Sequence, residues 1–346
     1  MEKIRDSRYD LLRVIAMGFV LLIHSIDSVQ IGQSLTNQII KGVVTTIILL
    51  CNPIFFMVSG HFSLHFKANK IEDYRKYYIK KGVNILMPLF IYQFIYYVVT
   101  VILENRYTNI ASFLHLFMLD ILQNYTTSYF WFMYVLLAFL IAAPFLSKML
   151  DQFTDQEEKI FVMILITMQI IGWGLKLRGI NWGVASYPFS GWLIYFLLGR
   201  LLESDKKKLN GFTRTVIITS VVIFNVFSLI HFSQSASWGL FDLSPLYILL
   251  TVVIYRWFLS NHFCLKISKL KLITKLSKYS FSIYLIHGAI LLIIVPHLKV
   301  ISSSIEAVVI IFICTYMLSF LAAWIIDNVI VKYVKRVFVK NFLTIV

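Results

Sequence analysis

Apolar runs near residues 10–28, 38–64, 82–103, 129–148, 159–176, 188–203, 214–232, 243–260, 281–298 and 305–331 follow one another with only short polar breaks. Each approaches the ~20 residues a helix needs to cross a hydrocarbon core about 30 Å thick. Inside such a core every backbone N–H and C=O must find its partner within the segment, so runs of this length fold as helices. The sequence therefore predicts an all-α, polytopic membrane protein: a bundle of about ten transmembrane helices. Composition agrees, since 59% of the 346 residues are hydrophobic and only 14% are charged, well outside the range of soluble domains.

The formal net charge of +15 would point to nucleic acid in a soluble protein. Here the basic residues sit in short clusters between apolar runs, which reads instead as topology and contact with anionic lipid. Lys41, Arg106, Lys176, Arg178 and Lys299 are the cations on one set of connections, while the termini and the alternate loops carry many more. That asymmetry predicts that both termini are cytoplasmic. The first run is basic and then apolar, like a signal peptide, but no small-residue cleavage site follows, so it reads as an uncleaved span. Cys51, Cys264 and Cys314 are scattered, without the spacing of a disulfide framework or a metal site. No linker-like stretch divides the chain, and residues 1–346 read as a single transmembrane domain.

Within the first run, Asp10, Arg13 and His24 stand out. Eleven residues separate Arg13 from His24, about three helical turns, so both point from one face about 16 Å apart. If Arg13 marks the membrane–water boundary, His24 lies near mid-core, where an ionisable side chain is by default a candidate for function. Asp10 is one turn before Arg13 and can pair with it. Asp27, one turn beyond His24, can orient the imidazole or face outward as an interfacial carboxylate.

Further along, Asn52-Pro-Ile-Phe-Phe-Met-Val-Ser-Gly-His61 combines a helix-loosening Pro53 with Ser59-Gly60, a pair that lets helix backbones approach closely. The basic stretch Lys67, Lys70, Arg75, Lys76, Lys80 and Lys81 leads into Pro88. It reads either as a positive-inside signal or as a patch for the phosphates of a nucleotide-bearing donor. The loop at 104–128 can form a short helix on the membrane surface. The run Tyr129-Phe-Trp-Phe-Met-Tyr134 suits an interfacial aromatic belt, with Trp131 available to border a ligand entry. Finally, Ser280, Tyr284 and His287 fall on one helical stripe.

These motifs together resemble the acyltransferase 3 family, membrane O-acyltransferases that modify sugars. Asp10, Arg13 and His24 match its Asp-x-x-Arg-x10-His. Pro53, Phe55, Phe56, Ser59 and Gly60 match its Pro-x-Phe-Phe-x-x-Ser-Gly. Ser280, Tyr284, Leu285 and His287 match its Ser-x-x-x-Tyr-Leu-x-His. The chain departs from the family where arginines usually stand seven and four residues before a proline; those positions are Lys81 and Asn84. Lysine keeps a point charge without the bidentate fork, and asparagine loses the charge.

The resemblance implies an acyl-coenzyme A donor, most often acetyl, and a cell-surface or lipid-linked glycan acceptor at a cell membrane. It implies His24 as general base or acyl carrier, with His287 as the next candidate and Asp10 and Arg13 supporting the site. Arg13, Arg75, Lys76, Lys80 and Lys81 would hold the donor, while Ser59, Trp131 and Tyr284 would meet the acceptor. No metal and no nucleic acid are expected. No counterpart of the family's separate extracytoplasmic esterase-like domain is expected, so a partner protein that accepts the acyl group is an option, and homo-oligomerisation stays open. The rival class is a transporter or flippase of a lipid-linked sugar, since intramembrane Arg, His and Asp suit that chemistry too.

Overall fold

The computed structural model describes residues 6–29, 34–106, 109–123, 128–180, 191–202, 210–231, 243–298 and 305–342. Those residues are helical with no strand among them. In chain order the helices are α1 (Arg8–Asp27), α2 (Leu35–Ile48), α3 (Cys51–Ser63), α4 (Ile71–Lys81), α5 (Met87–Leu103), α6 (Ile110–Gln123), α7 (Trp131–Gln152) and α8 (Asp155–Leu177). They continue with α9 (Trp192–Leu201), α10 (Gly211–His231), α11 (Pro245–Ser260), α12 (His262–Ser268), α13 (Lys271–Leu298), α14 (Ile305–Ile326) and α15 (Lys332–Phe342). A π-helical turn, Gly82–Leu86, joins α4 to α5, and another, Asp327–Val331, joins α14 to α15.

Among the described residues, eight helices are long and apolar enough to cross a membrane, or nine if α11 and α12, bent by 71°, form one span. The sequence led us to expect about ten. The difference lies at 188–203, where the described helix α9 has ten residues and reaches only about 15 Å. Residues 188–190 and 203 of that run, like Lys299, fall outside the described residues.

The chain divides into two compact units, Met1–Ile23 with Ile31–Lys67 and Ala138–Thr274, and His24–Gln30 with Ala68–Leu137 and Lys275–Val346. In the first, α3 and α9 touch backbone to backbone. A methyl group at Gly60 would lie 1.8 Å from the Phe196 carbonyl oxygen, and one at Gly199 would lie 1.9 Å from that of Met57. Small residues permit such contacts in a membrane, where helix association relies on packing rather than on exclusion of water. This is the close approach that Ser59-Gly60 predicts. We expect Gly60→Ala and Gly199→Ala each to destabilise the detergent-solubilised protein by about 1–3 kcal/mol, lowering its thermal midpoint. Gly174→Ala, with nothing within 4 Å of the new methyl, should leave the midpoint unchanged.

Polar contacts tie the same unit together. Asn225 on α10 donates to the Gly42 carbonyl at 3.1 Å and the Thr46 hydroxyl at 2.6 Å on α2. Arg200 caps the end of α3 by donating to the Leu64 carbonyl and pairs with Asp151 at 2.7 Å. A helix C-terminus has unsatisfied carbonyls that a guanidinium serves well.

In the second unit, α6 forms where the sequence allows a short surface helix. Its Phe117 is buried against Phe94 and Tyr97 of α5, with ring centroids 5.2 and 5.4 Å apart. Ile110 and Leu122 remain exposed. Tyr134 of α7 accepts from Gln93 at 2.7 Å and donates to the Ile121 carbonyl at 2.7 Å, which links α5, α6 and α7.

Candidate active site

The second unit contains His24 and His287. His24 occupies the last turn of α1, three residues before the helix ends, so it lies nearer a helix terminus than the placement of Arg13 at the boundary implies. His287 lies in the interior of α13 and is fully buried. The two imidazoles face each other with centroids 5.3 Å apart and planes 27° from parallel. Tyr129 closes the group, its ring meeting His24 edge-on at 4.8 Å and His287 at 5.4 Å.

Three features of the chain hold these rings. Gly288 follows His287, and a methyl group there would come within 2.7 Å of the Tyr129 ring and 3.0 Å of the Tyr96 ring. Glycine thus lets both tyrosines close on α13. Tyr284, one turn before His287, donates its hydroxyl to the Tyr129 carbonyl and lies against His287 with centroids 5.5 Å apart and planes tilted by 41°. The third feature is the His287 hydrogen bond: Nδ1 meets the Tyr284 carbonyl. A carbonyl only accepts, so Nδ1 carries the proton and Nε2 presents its lone pair. That Nε2 is buried and has no hydrogen-bond partner among the described residues. His24 differs, with a side chain 29% exposed and Nδ1 4.0 Å from the Asp27 carboxylate.

His24, His287 and Tyr284, singled out in the sequence, therefore share one cluster. Trp131 is half-buried at the start of α7, its ring 6.2 Å from that of Phe132, which in turn packs on Tyr284 at 5.6 Å. Arg75, Lys76, Lys80 and Lys81 lie along α4, with the Lys81 ammonium over the Tyr77 ring at 5.3 Å. In the first unit, buried Asp10 pairs with Arg13 at 3.5 Å, and the Arg13 guanidinium covers the Phe62 ring at 4.7 Å. Ser59 is half-buried on α3 beside Gly60. Asp27 sits where the sequence offered it as a support for His24.

Sequence reasoning missed two things. Tyr129 counted only as part of an aromatic belt, although it borders both imidazoles. Asp327 was absorbed into an apolar run, yet it accepts from Tyr92 at 2.9 Å and from Ser282 at 2.7 Å. A carboxylate in an otherwise apolar run was the available signal.

Chemically, two neighbouring imidazoles in an apolar helical unit can take a proton from a hydroxyl and return it to a leaving group. Among the described residues no group of His, Cys, Asp and Glu is arranged to hold a metal ion. The acyltransferase 3 family, an acyltransferase domain, matches residues 6–327, and the chain belongs to this family. It is a membrane acyltransferase. No curated protein and no solved structure matches the chain.

Proposed function

We propose that the protein moves an acyl group, acetyl in the first instance, from cytoplasmic acyl-coenzyme A to a hydroxyl of a cell-surface or lipid-linked glycan. The observation that carries this reading is the stacked pair His24 and His287, with His24 partly accessible and the His287 Nε2 lone pair unpartnered among the described residues. His24 takes the proton of the sugar hydroxyl as its oxygen attacks the thioester carbonyl carbon. The C–S bond breaks, the imidazolium returns the proton to the thiolate, and the products are an ester and free coenzyme A thiol.

On this reading the termini and the 65–81 loop face the cytoplasm in the plasma membrane. Arg13 contributes to binding the donor phosphates, as do Arg75, Lys76, Lys80 and Lys81. Ser59, Trp131 and Tyr284 border the acceptor; since the Tyr284 hydroxyl is engaged by the Tyr129 carbonyl, its contribution is to shape the site.

Mass spectrometry of envelope glycans from cells with and without the protein tests the reading. An acyl-sized mass increment should be present only with the protein. Identical glycan masses in both would contradict the function.

A further inference from the structure

Where α11 ends, Asn261 breaks the helix. Its backbone is extended, and its side-chain oxygen accepts from the Phe263 N–H at 2.8 Å, which caps the start of α12. The helix axis turns there by 71°. Just before the break, the Arg214 guanidinium of α10 lies over the Trp257 ring at 5.8 Å, and tryptophan is enriched at the membrane–water interface. With α11 as the spanning segment, the 71° turn lays α12 nearly along the membrane surface.

This corner is held from one side. Cys264 and Ser268, one turn apart on α12, are buried, and the Ser268 hydroxyl meets that of Ser7, just before α1, at 2.7 Å. Arg8 of α1 donates to the Leu259 carbonyl of α11 and pairs with Asp6 at 2.6 Å. The opposite side is exposed. Phe263, Leu270 and Leu272 are 66%, 55% and 62% exposed, and Lys266, Lys269 and Lys271 among them are exposed as well. No carboxylate occurs between residues 243 and 305, and Asp6 is neutralised by the Arg8 that brings it to the corner. Phe263 and Lys266 are about 60° apart around α12, so an apolar edge adjoins a cationic one. A helix seated at a lipid interface has this pattern.

We propose that the α11–α12 corner binds anionic phospholipid. Phe263, Leu270 and Leu272 enter the acyl region, and Lys266, Lys269 and Lys271 meet headgroup phosphates. The combination of side chains selects this occupant. A soluble phosphate would match the lysines and leave three apolar side chains in water. A zwitterionic lipid would cover the apolar side chains and leave the cationic charge unmatched. Bound lipid braces the corner and, through Ser268 and Leu259, the first turn of α1, the helix that carries Asp10 and Arg13. The site does not depend on which acyl donor or acceptor the enzyme uses.

The test titrates full-length protein in neutral detergent with phosphatidylglycerol or phosphatidylcholine, and reads bound lipid by native mass spectrometry alongside the thermal midpoint. Wild type should prefer phosphatidylglycerol and gain thermal stability with its concentration. Lys266→Gln/Lys269→Gln/Lys271→Gln should bind it roughly tenfold more weakly and lose that gain. Lys67→Gln/Lys159→Gln/Lys332→Gln, which removes the same charge from exposed lysines elsewhere, should match wild type. If the first triple variant loses no more than the second, the site is overturned. Coenzyme A should not displace the lipid; displacement that requires Lys266, Lys269 and Lys271 would assign them to a soluble phosphate ligand and overturn the lipid. A second readout needs no triple lysine variant. A fluorophore is placed at Phe263→Cys or at Lys266→Cys, in bilayer-reconstituted protein whose Cys51, Cys264 and Cys314 are replaced by alanine. Brominated acyl chains should quench the label on Phe263→Cys strongly and that on Lys266→Cys weakly. Quenching no stronger on Phe263→Cys than on Lys266→Cys would overturn the interfacial seating of α12.

Discussion

His24→Asn is expected to lose about 10²–10⁴-fold in acyl transfer, the usual contribution of general-base assistance, while the protein still folds. Asparagine keeps polarity and some hydrogen bonding but accepts no proton near neutral pH. The structural cost is small because the His24 side chain is partly exposed, and its contacts are ring faces and a carboxylate 4.0 Å away. Kinetics should therefore show a collapsed kcat with a near-normal KM for the donor, and the thermal midpoint should hold. A lower midpoint with retained kcat would mean that His24 only packs. If His24 instead carries the acyl group, a labelled acyl-imidazole should accumulate in the wild type when acceptor is withheld.

His287→Phe should cost both activity and stability, and the split between them is informative. The ring fits an aromatic neighbourhood of Tyr129 and Tyr284, but it cannot donate to the Tyr284 carbonyl as His287 Nδ1 does. Losing one buried hydrogen bond costs about 1–3 kcal/mol, read as a lower thermal midpoint. On the proposed mechanism kcat falls in addition by about 10²-fold, more than unfolding at the assay temperature explains, because the unpartnered Nε2 lone pair is gone. A kcat per folded molecule equal to wild type would reduce His287 to packing.

Much of this was legible in the sequence, for physical reasons that differ from residue to residue. The helices follow from apolar runs that admit no other structure in a bilayer. The contact at Gly60 follows from a small-residue pair, although its partner Gly199 on a distant helix does not. His24 and His287 stood out because an imidazole in an apolar run is rare, but their stacking depends on how α1 and α13 pack. No periodicity encodes that. Tyr129 was hidden because an aromatic ring at a helix start has an adequate interfacial explanation. At 188–203 the described helix has ten residues, and the start of that run lies outside the described residues.

The most direct test of the central claim is transfer by the purified protein itself. Nanodisc-embedded protein is mixed with labelled acetyl-coenzyme A and isolated envelope glycan, and free thiol and glycan-bound label are measured together. Thiol and label should appear in equal amounts, only when glycan is present, and neither should appear with His24→Asn. A folded wild type that releases no thiol and transfers no label, or a His24→Asn protein that does both at near-normal rate, would contradict the account.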